Sequence, residues 1–172
     1  GVAGEHVHRH VEVTRPRDEG RLVVAVDDHE VAVVIYPHST CYYETAEEAM
    51  ELVRQFQPDE LSVSFHLYHE IRGANGHRIP EVLHEIKTYL GAVTLAGTDR
   101  FGNHSSTRAL NASTVRRLGR GNYDIAELLH ALDEIDYSGP ISIMNFKLEE
   151  PLDDYLPASR KLLLDYSGSI QP

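Results

Sequence analysis

Residues 61–73 read LSVSFHLYHEIRG. An apolar run, interrupted only by two small serines, ends in His66, His69 and Glu70. Three further runs have the same character: VAVVIY at 31–36, AVTLAG at 92–97 and ISIMNF at 141–146. All are rich in β-branched residues without clean polar alternation. Strands of a parallel sheet, covered on both faces, have this composition.

Helical patterns separate the runs. TAEEAMELVRQF at 45–56 opens with Thr45 and Glu48 in capping-box spacing. IPEVLHEIKTYLG at 79–91 has Pro80 at a first helical position and Gly91 just past the expected end. DIAELLHALDEI at 124–135 has Asp124 as N-cap and an apolar face of Leu128, Leu129, Leu132 and Ile135. A last helix is expected over 157–166. The order strand–helix–strand–helix predicts an α/β protein with parallel neighbours. Strand starts at 31, 61 and 92 lie 30 and 31 residues apart, the length of one βα unit in a barrel or a doubly wound sheet. The segment 98–123 is too long for an ordinary connection, and such loops are usually functional. At the N-terminus, EHVHRHVEV (5–13) alternates like a strand. DEGRLVVAVDDHE (18–30) suits a helix by its place in the alternation and a strand by its valines, and we read it as helix.

Composition narrows the function classes. The chain has 172 residues, 41% of them hydrophobic and 25% charged, which suits one compact domain. A net charge of −11 argues against nucleic acid, whose phosphates need a basic surface. The apolar runs are far shorter than the roughly 20 residues of a membrane helix, and no signal segment opens the chain. Cys41 is alone, so no internal disulfide is expected, and a cytoplasmic setting fits. Eleven histidines make a metal site or a general acid–base worth seeking.

VVIYPHS (33–39), FHLYHEIRG (65–73) and LGRGNYDIAELLHALDEIDYSGPI (118–141) resemble the C-terminal half of the sugar phosphate isomerase/epimerase family, a xylose-isomerase-like TIM barrel. The most specific part is Leu118-Gly119-x-Gly121-x-x-Asp124, the helix after it and Tyr137-x-Gly139-Pro140-Ile141. The likeness covers roughly residues 30–166 and implies a partial (βα) barrel of about four to five parallel strands, preceded over 1–29 by a shortened or irregular segment. A full barrel needs about 250 residues. The resemblance also implies one divalent metal at the strand ends, held by glutamate, aspartate, two histidines and a second glutamate. Carried over, these positions hold Tyr36, His66, His69, Thr94 and Met144. Only His66 and His69 keep ligand chemistry, so the Mg²⁺ or Mn²⁺ site is expected to be lost.

His66 and His69 can converge only if the strand ends between them, because residues three apart on a strand face opposite ways. With His38 they would make a three-histidine set suited to zinc; otherwise they are polar residues at the mouth of a former site. The expected catalytic residues are His38, His66, His69 and Asp99. The expected substrate contacts are Tyr36, Ser39, Arg100 and Arg120. An isomerase would use one histidine to move a proton beside a carbonyl, with Arg100 or Arg120 holding the oxygen. A hydrolase would use a histidine-activated water or Ser39, though His38 and Ser39, being adjacent, make a weak pair. A non-catalytic fragment would only bind ligand or itself. Arg116, Arg117 and Arg120 beside Gly119 and Gly121 suit an anion, or a turn that needs positive φ. His6, His8 and His10 share one face of an extended segment, the geometry of a zinc face or of a solvated edge.

The expected partner is a small polar, carbohydrate-like molecule. A sheet of four or five strands cannot close a ring, so a homodimer is expected, burying above about 2,000 Å².

Overall fold

The computed structural model describes residues 9–14, 21–26, 33–100, 115–146, 148 and 150–169. The chain divides into two compact units, Gly1–Val33 and Val34–Pro172. In the first, β1 (Arg9–Thr14) pairs antiparallel with β2 (Arg21–Val26), Val11 opposite Val24 and Val13 opposite Leu22. The helix expected over 18–30 is therefore corrected. Its valines pair as a strand, because β-branched side chains fit a pleated surface better than a helix turn. His6 and His8 lie outside the described residues.

The second unit carries a four-stranded sheet in the order β3-β4-β5-β6. Its strands are β3 (Val33–Ile35), β4 (Leu61–His66), β5 (Leu90–Leu95) and β6 (Ile141–Ile143). The sheet is parallel and open, with helices between the strands. All six residues of β4 are buried, as expected of a central strand covered on both faces. Val63, Phe65, Val93 and Leu95 are fully buried, whereas Ile141 on β6 is 42% exposed.

Helix α1 (Ala46–Val53) is capped as its sequence predicts, with Thr45 Oγ1 accepting from Glu48 N–H at 3.2 Å. The Glu48 carboxylate reaches one residue further back, to Glu44 N–H, rather than closing the box on Thr45. A short helix α2 (Leu67–Arg72), absent from the sequence reading, follows β4 without a loop. Helix α3 (Ile79–Ile86) starts one residue before the expected Pro80, which lies in its first turn, and gives way to a 3₁₀ turn at Lys87–Tyr89. Gly91 does not end that helix. It is the extra residue of a bulge in β5, where Val63 pairs with Leu90 and Ser64 with Ala92. A Cβ there would collide with Ser62 Oγ.

Helix α4 (Ile125–Glu134) is capped by Asp124, whose carboxylate accepts from Ala126 N–H. Helix α5 (Leu152–Ser169) begins five residues before the expected position. Pro151 starts it by accepting from Asp154 and Tyr155 N–H, and the buried Tyr155 donates its hydroxyl to Met144 C=O. Among the described residues no helix is long and apolar enough to cross a membrane.

Glu70 joins α2 to α1. Its carboxylate, 1% exposed, accepts from Ala46 N–H at 2.6 Å and from Asn75 Nδ2 at 2.7 Å. Removing it leaves two buried donors unmet. Glu70→Ala is expected to lower unfolding stability by about 2–4 kcal/mol in urea titration; a loss no larger than that of an exposed glutamate would refute this role.

Candidate functional site

Two strand ends build the site. β4 ends at His66, which is also the N-cap of α2, and the helix turn brings His69 back over it. The ring centroids are 4.4 Å apart. The convergence that the strand alone would forbid is thus produced by the strand-to-helix switch between the two residues.

β3 ends in a tight loop in which His38 N–H donates to Tyr43 C=O, and Cys41 N–H to His38 C=O. Thr40 takes φ 80°, a left-handed conformation that costs a non-glycine residue about 1–2 kcal/mol. The turn aims Ser39 inward. Its N–H donates to His69 Nδ1 at 3.3 Å, and its Oγ lies 3.0 Å from the same nitrogen. The His38 ring lies tilted against His69, with centroids 4.1 Å apart, and its Nδ1 donates to Ser39 C=O at 2.7 Å. The half-exposed Tyr36 presents its ring edge-on to His66 and His69, at 5.6 and 5.9 Å. The Ser39 hydroxyl pairs with His69, not with the adjacent His38 ring. That partnership crosses 30 residues of sequence and needed the unread helix α2 to be visible.

These hydrogen bonds fix the tautomers. A carbonyl only accepts, so His38 carries a proton on Nδ1, and its neutral form has its lone pair on Nε2. A backbone N–H only donates, so neutral His69 keeps its lone pair on Nδ1 and its proton on Nε2. Both ring nitrogens of His66 and Nε2 of His69 are buried without a protein partner.

Burial pushes His66 down to about 4 and His69 to about 3, with the neighbouring histidines adding to the fall. Both are neutral at pH 7. Burial pushes the Glu70 carboxyl up to about 7, against the pull of Ala46 N–H and Asn75.

The other expected residues stand apart from this cluster. Asp99 accepts from Arg116 at 2.6 Å and from Asn122 N–H at 3.0 Å. Arg100 is ion-paired with Glu127 and lies over the Tyr123 ring. Asp99 thus joins Arg116 and Asn122, Arg100 reaches α4 at Glu127, and among the described residues none of these contacts reaches the histidines. Arg120 is exposed, its N–H donating to Arg117 C=O. Arg116 and Arg117 are paired with Asp99 and Glu150. Gly119 and Gly121 take φ 80° and 100°, so the glycines serve a turn.

The implied metal set does not fit. His66 does pair with Thr94, and Met144 N–H donates to Leu95 C=O, so these residues stand at the strand ends. Their chemistry is wrong for a hard cation: a phenol, imidazoles, a thioether, and a threonine hydroxyl 2.8 Å from Ser142 Oγ. Among the described residues no group of three or more His, Cys, Asp or Glu side chains is arranged to hold a metal ion.

The family model described as "Xylose isomerase-like TIM barrel" matches residues 20–165. Among solved structures the chain is similar to a xylose isomerase domain protein from Planctomyces limnophilus, at 22% identity and TM-score 0.61, covering 81% of this chain and 46% of that one. It is similar to a D-tagatose 3-epimerase-like protein, at 22% identity and TM-score 0.54, over 82% and 48%. It is also similar to an IolI protein with a bound zinc atom, at 22% identity and TM-score 0.60, over 81% and 49%. The chain spans about half the length of each, and at these identities the likeness shows the fold alone. No curated protein matches the sequence significantly.

The buried groups set the acid limb of stability. Between about pH 4.5 and 6.5 the unfolded chain protonates His66 and His69, which the folded chain excludes. In the same window the folded chain keeps one proton on Glu70 that the unfolded chain releases. The unfolded state binds one more proton net, so from these groups stability rises with pH by about 1.4 kcal/mol per unit. His66→Leu is expected to remove that slope and to leave stability at pH 7.5 unchanged or about 1 kcal/mol higher, since an unpartnered buried imidazole is lost. An unaltered slope in urea titrations across this range would contradict the burial.

Proposed function

Because this chain belongs to the xylose isomerase-like TIM barrel family, we propose that its histidine cluster moves a proton beside the carbonyl of a small, carbohydrate-like substrate. The observation that carries this reading is the opposed tautomers of His38 and His69. His38 Nε2 offers a lone pair at an exposed position, and His69 Nε2–H is an unpartnered donor beside it. His38 would take the α-proton, and neutral His69 would hydrogen-bond the oxygen as charge develops there. A neutral imidazole can act in this way when its environment keeps it from protonating. Tyr36 covers both buried rings and would swing aside to admit the substrate.

This chemistry uses side chains alone. Dialysed protein is expected to carry no stoichiometric Mg²⁺ or Mn²⁺; one equivalent of Mn²⁺ by elemental analysis would overturn the metal-free reading. One equivalent of zinc bound through His38, His66 and His69 would instead replace the proton-transfer roles given to His38 and His69. A panel of aldoses and ketoses in D₂O should show α-proton exchange by NMR for at least one sugar. His38→Asn and His69→Ala should each slow it about 10²-fold or more. Exchange at wild-type rates in both variants would place the chemistry elsewhere.

A second reading, ester hydrolysis, is favoured by the 3.0 Å contact of Ser39 Oγ with His69 Nδ1. It is weakened by the burial of Ser39 and by the low basicity of His69. Turnover of simple esters, abolished in Ser39→Ala, would select it.

A further inference from the structure

Among the described residues of the second unit, four arginines are partly buried: Arg72, Arg78, Arg100 and Arg117. Three of them face carboxylates. Arg78 pairs with Glu47 and Glu85, Arg100 with Glu127, and Arg117 with Glu150. Among the described residues Arg72 pairs with none. Its Nη1 donates to the Tyr68 hydroxyl at the long distance of 3.5 Å, its Nε is buried without a partner, and its guanidinium carbon lies 5.7 Å from the Tyr68 ring centroid. A cation in the last turn of a helix is favoured by the helix dipole, and the aromatic ring adds to this. Neither effect satisfies a buried N–H, which is costly to leave unmet.

The place of this guanidinium gives it a use. Arg72 follows His69 by three residues on α2, a spacing that makes neighbours on a helix surface. Burial and the neighbouring histidines lower His69, and the charge of Arg72 adds to the fall. Tyr68 packs with Ala96 and Val115, and Met144 lies against them. Ala96 follows β5 and Met144 follows β6, so the guanidinium stands at the strand-end side where the histidines converge. Arg100, expected to contact substrate, is taken by Glu127.

We propose that Arg72 forms an anion subsite beside the histidine cluster, and that the substrate carries a carboxylate or phosphate group in addition to its carbonyl. The substrate half of this inference rests on the reading of the cluster given above. The Nε–Nη2 edge is the one on which a guanidinium takes either anion with two parallel bonds. Nη2 meets the anion first, and Nε follows as the guanidinium turns from its buried position. The held charge keeps the carbonyl beside His69 Nε2 while His38 Nε2 takes the proton. An uncharged sugar lacks this hold.

The test reads binding apart from turnover. Inorganic phosphate, glycolate and uncharged ethylene glycol are titrated into the protein at constant ionic strength, and arginine Nε–H signals are followed by ¹H–¹⁵N NMR. Phosphate or glycolate should shift the Arg72 signal to saturation, and ethylene glycol should not. The anion that saturates at the lower concentration separates a phosphorylated substrate from a carboxylate one. Read at the His69 imidazole, Arg72→Gln should weaken anion binding about tenfold or more, and Arg72→Lys by less. A purely structural arginine would lower Tm in Arg72→Gln and leave anion binding as it was. Absence of a saturable shift with either anion, a shift no larger than that of the exposed Arg120, or full-strength binding in Arg72→Gln would overturn the subsite. Saturable anion binding without α-proton exchange on any sugar keeps the subsite and removes the proposed chemistry. Exchange on neutral sugars without anion binding does the reverse.

Discussion

The site depends on one buried carboxyl group. Glu70 sits on α2, next to His69, and bonds the first N–H of α1 and the side chain of Asn75. Helix α1 follows directly on the loop that carries His38 and Ser39. The Glu70–Ala46 hydrogen bond therefore clamps together the two elements whose side chains meet as Ser39 and His69. A helix N-terminus favours the carboxylate, whereas burial opposes its charge and holds it near neutral pH. The two effects leave a group that is satisfied geometrically but costly electrostatically. That cost places it among the functional and strained positions, together with the left-handed Thr40 and the unpartnered His66.

Much of the fold was legible because it is written in local chemistry. Apolar β-branched runs, Thr45 and Asp124 at helix starts and Pro80 at a first turn each act within a few residues. The structure places strands or helices at each of them. The misreadings have physical causes as well. The valines of 21–26 pair with a neighbouring strand, a choice that place in the alternation could not reveal. Gly91 resembles a helix stop but fills a bulge where β5 approaches Ser62. Pro157 resembles a first helical residue but lies inside α5, which Tyr155 anchors from an earlier turn.

The site was legible in part. His66, His69, His38, Ser39 and Tyr36 were all marked, and the structure brings them together. Their pairing was not legible. Adjacency offered Ser39 only a weak pairing with His38, whereas the short helix α2 turns His69 toward its hydroxyl. Asp99 and Arg100 were marked for their place after a strand, yet Arg116, Asn122 and Glu127 hold them. Charged residues beside a long loop are as often its struts as its chemistry, and only the partner shows which.

The central claim is that Ser39 and the Glu70 clamp fix His69 with its lone pair on Nδ1 and its proton on Nε2. Long-range ¹H–¹⁵N correlation of the imidazole rings at neutral pH reads this directly. The account predicts a neutral His69 protonated on Nε2 in the wild type, beside a His38 protonated on Nδ1. A His69 protonated on Nδ1, or on both nitrogens at neutral pH, would contradict it.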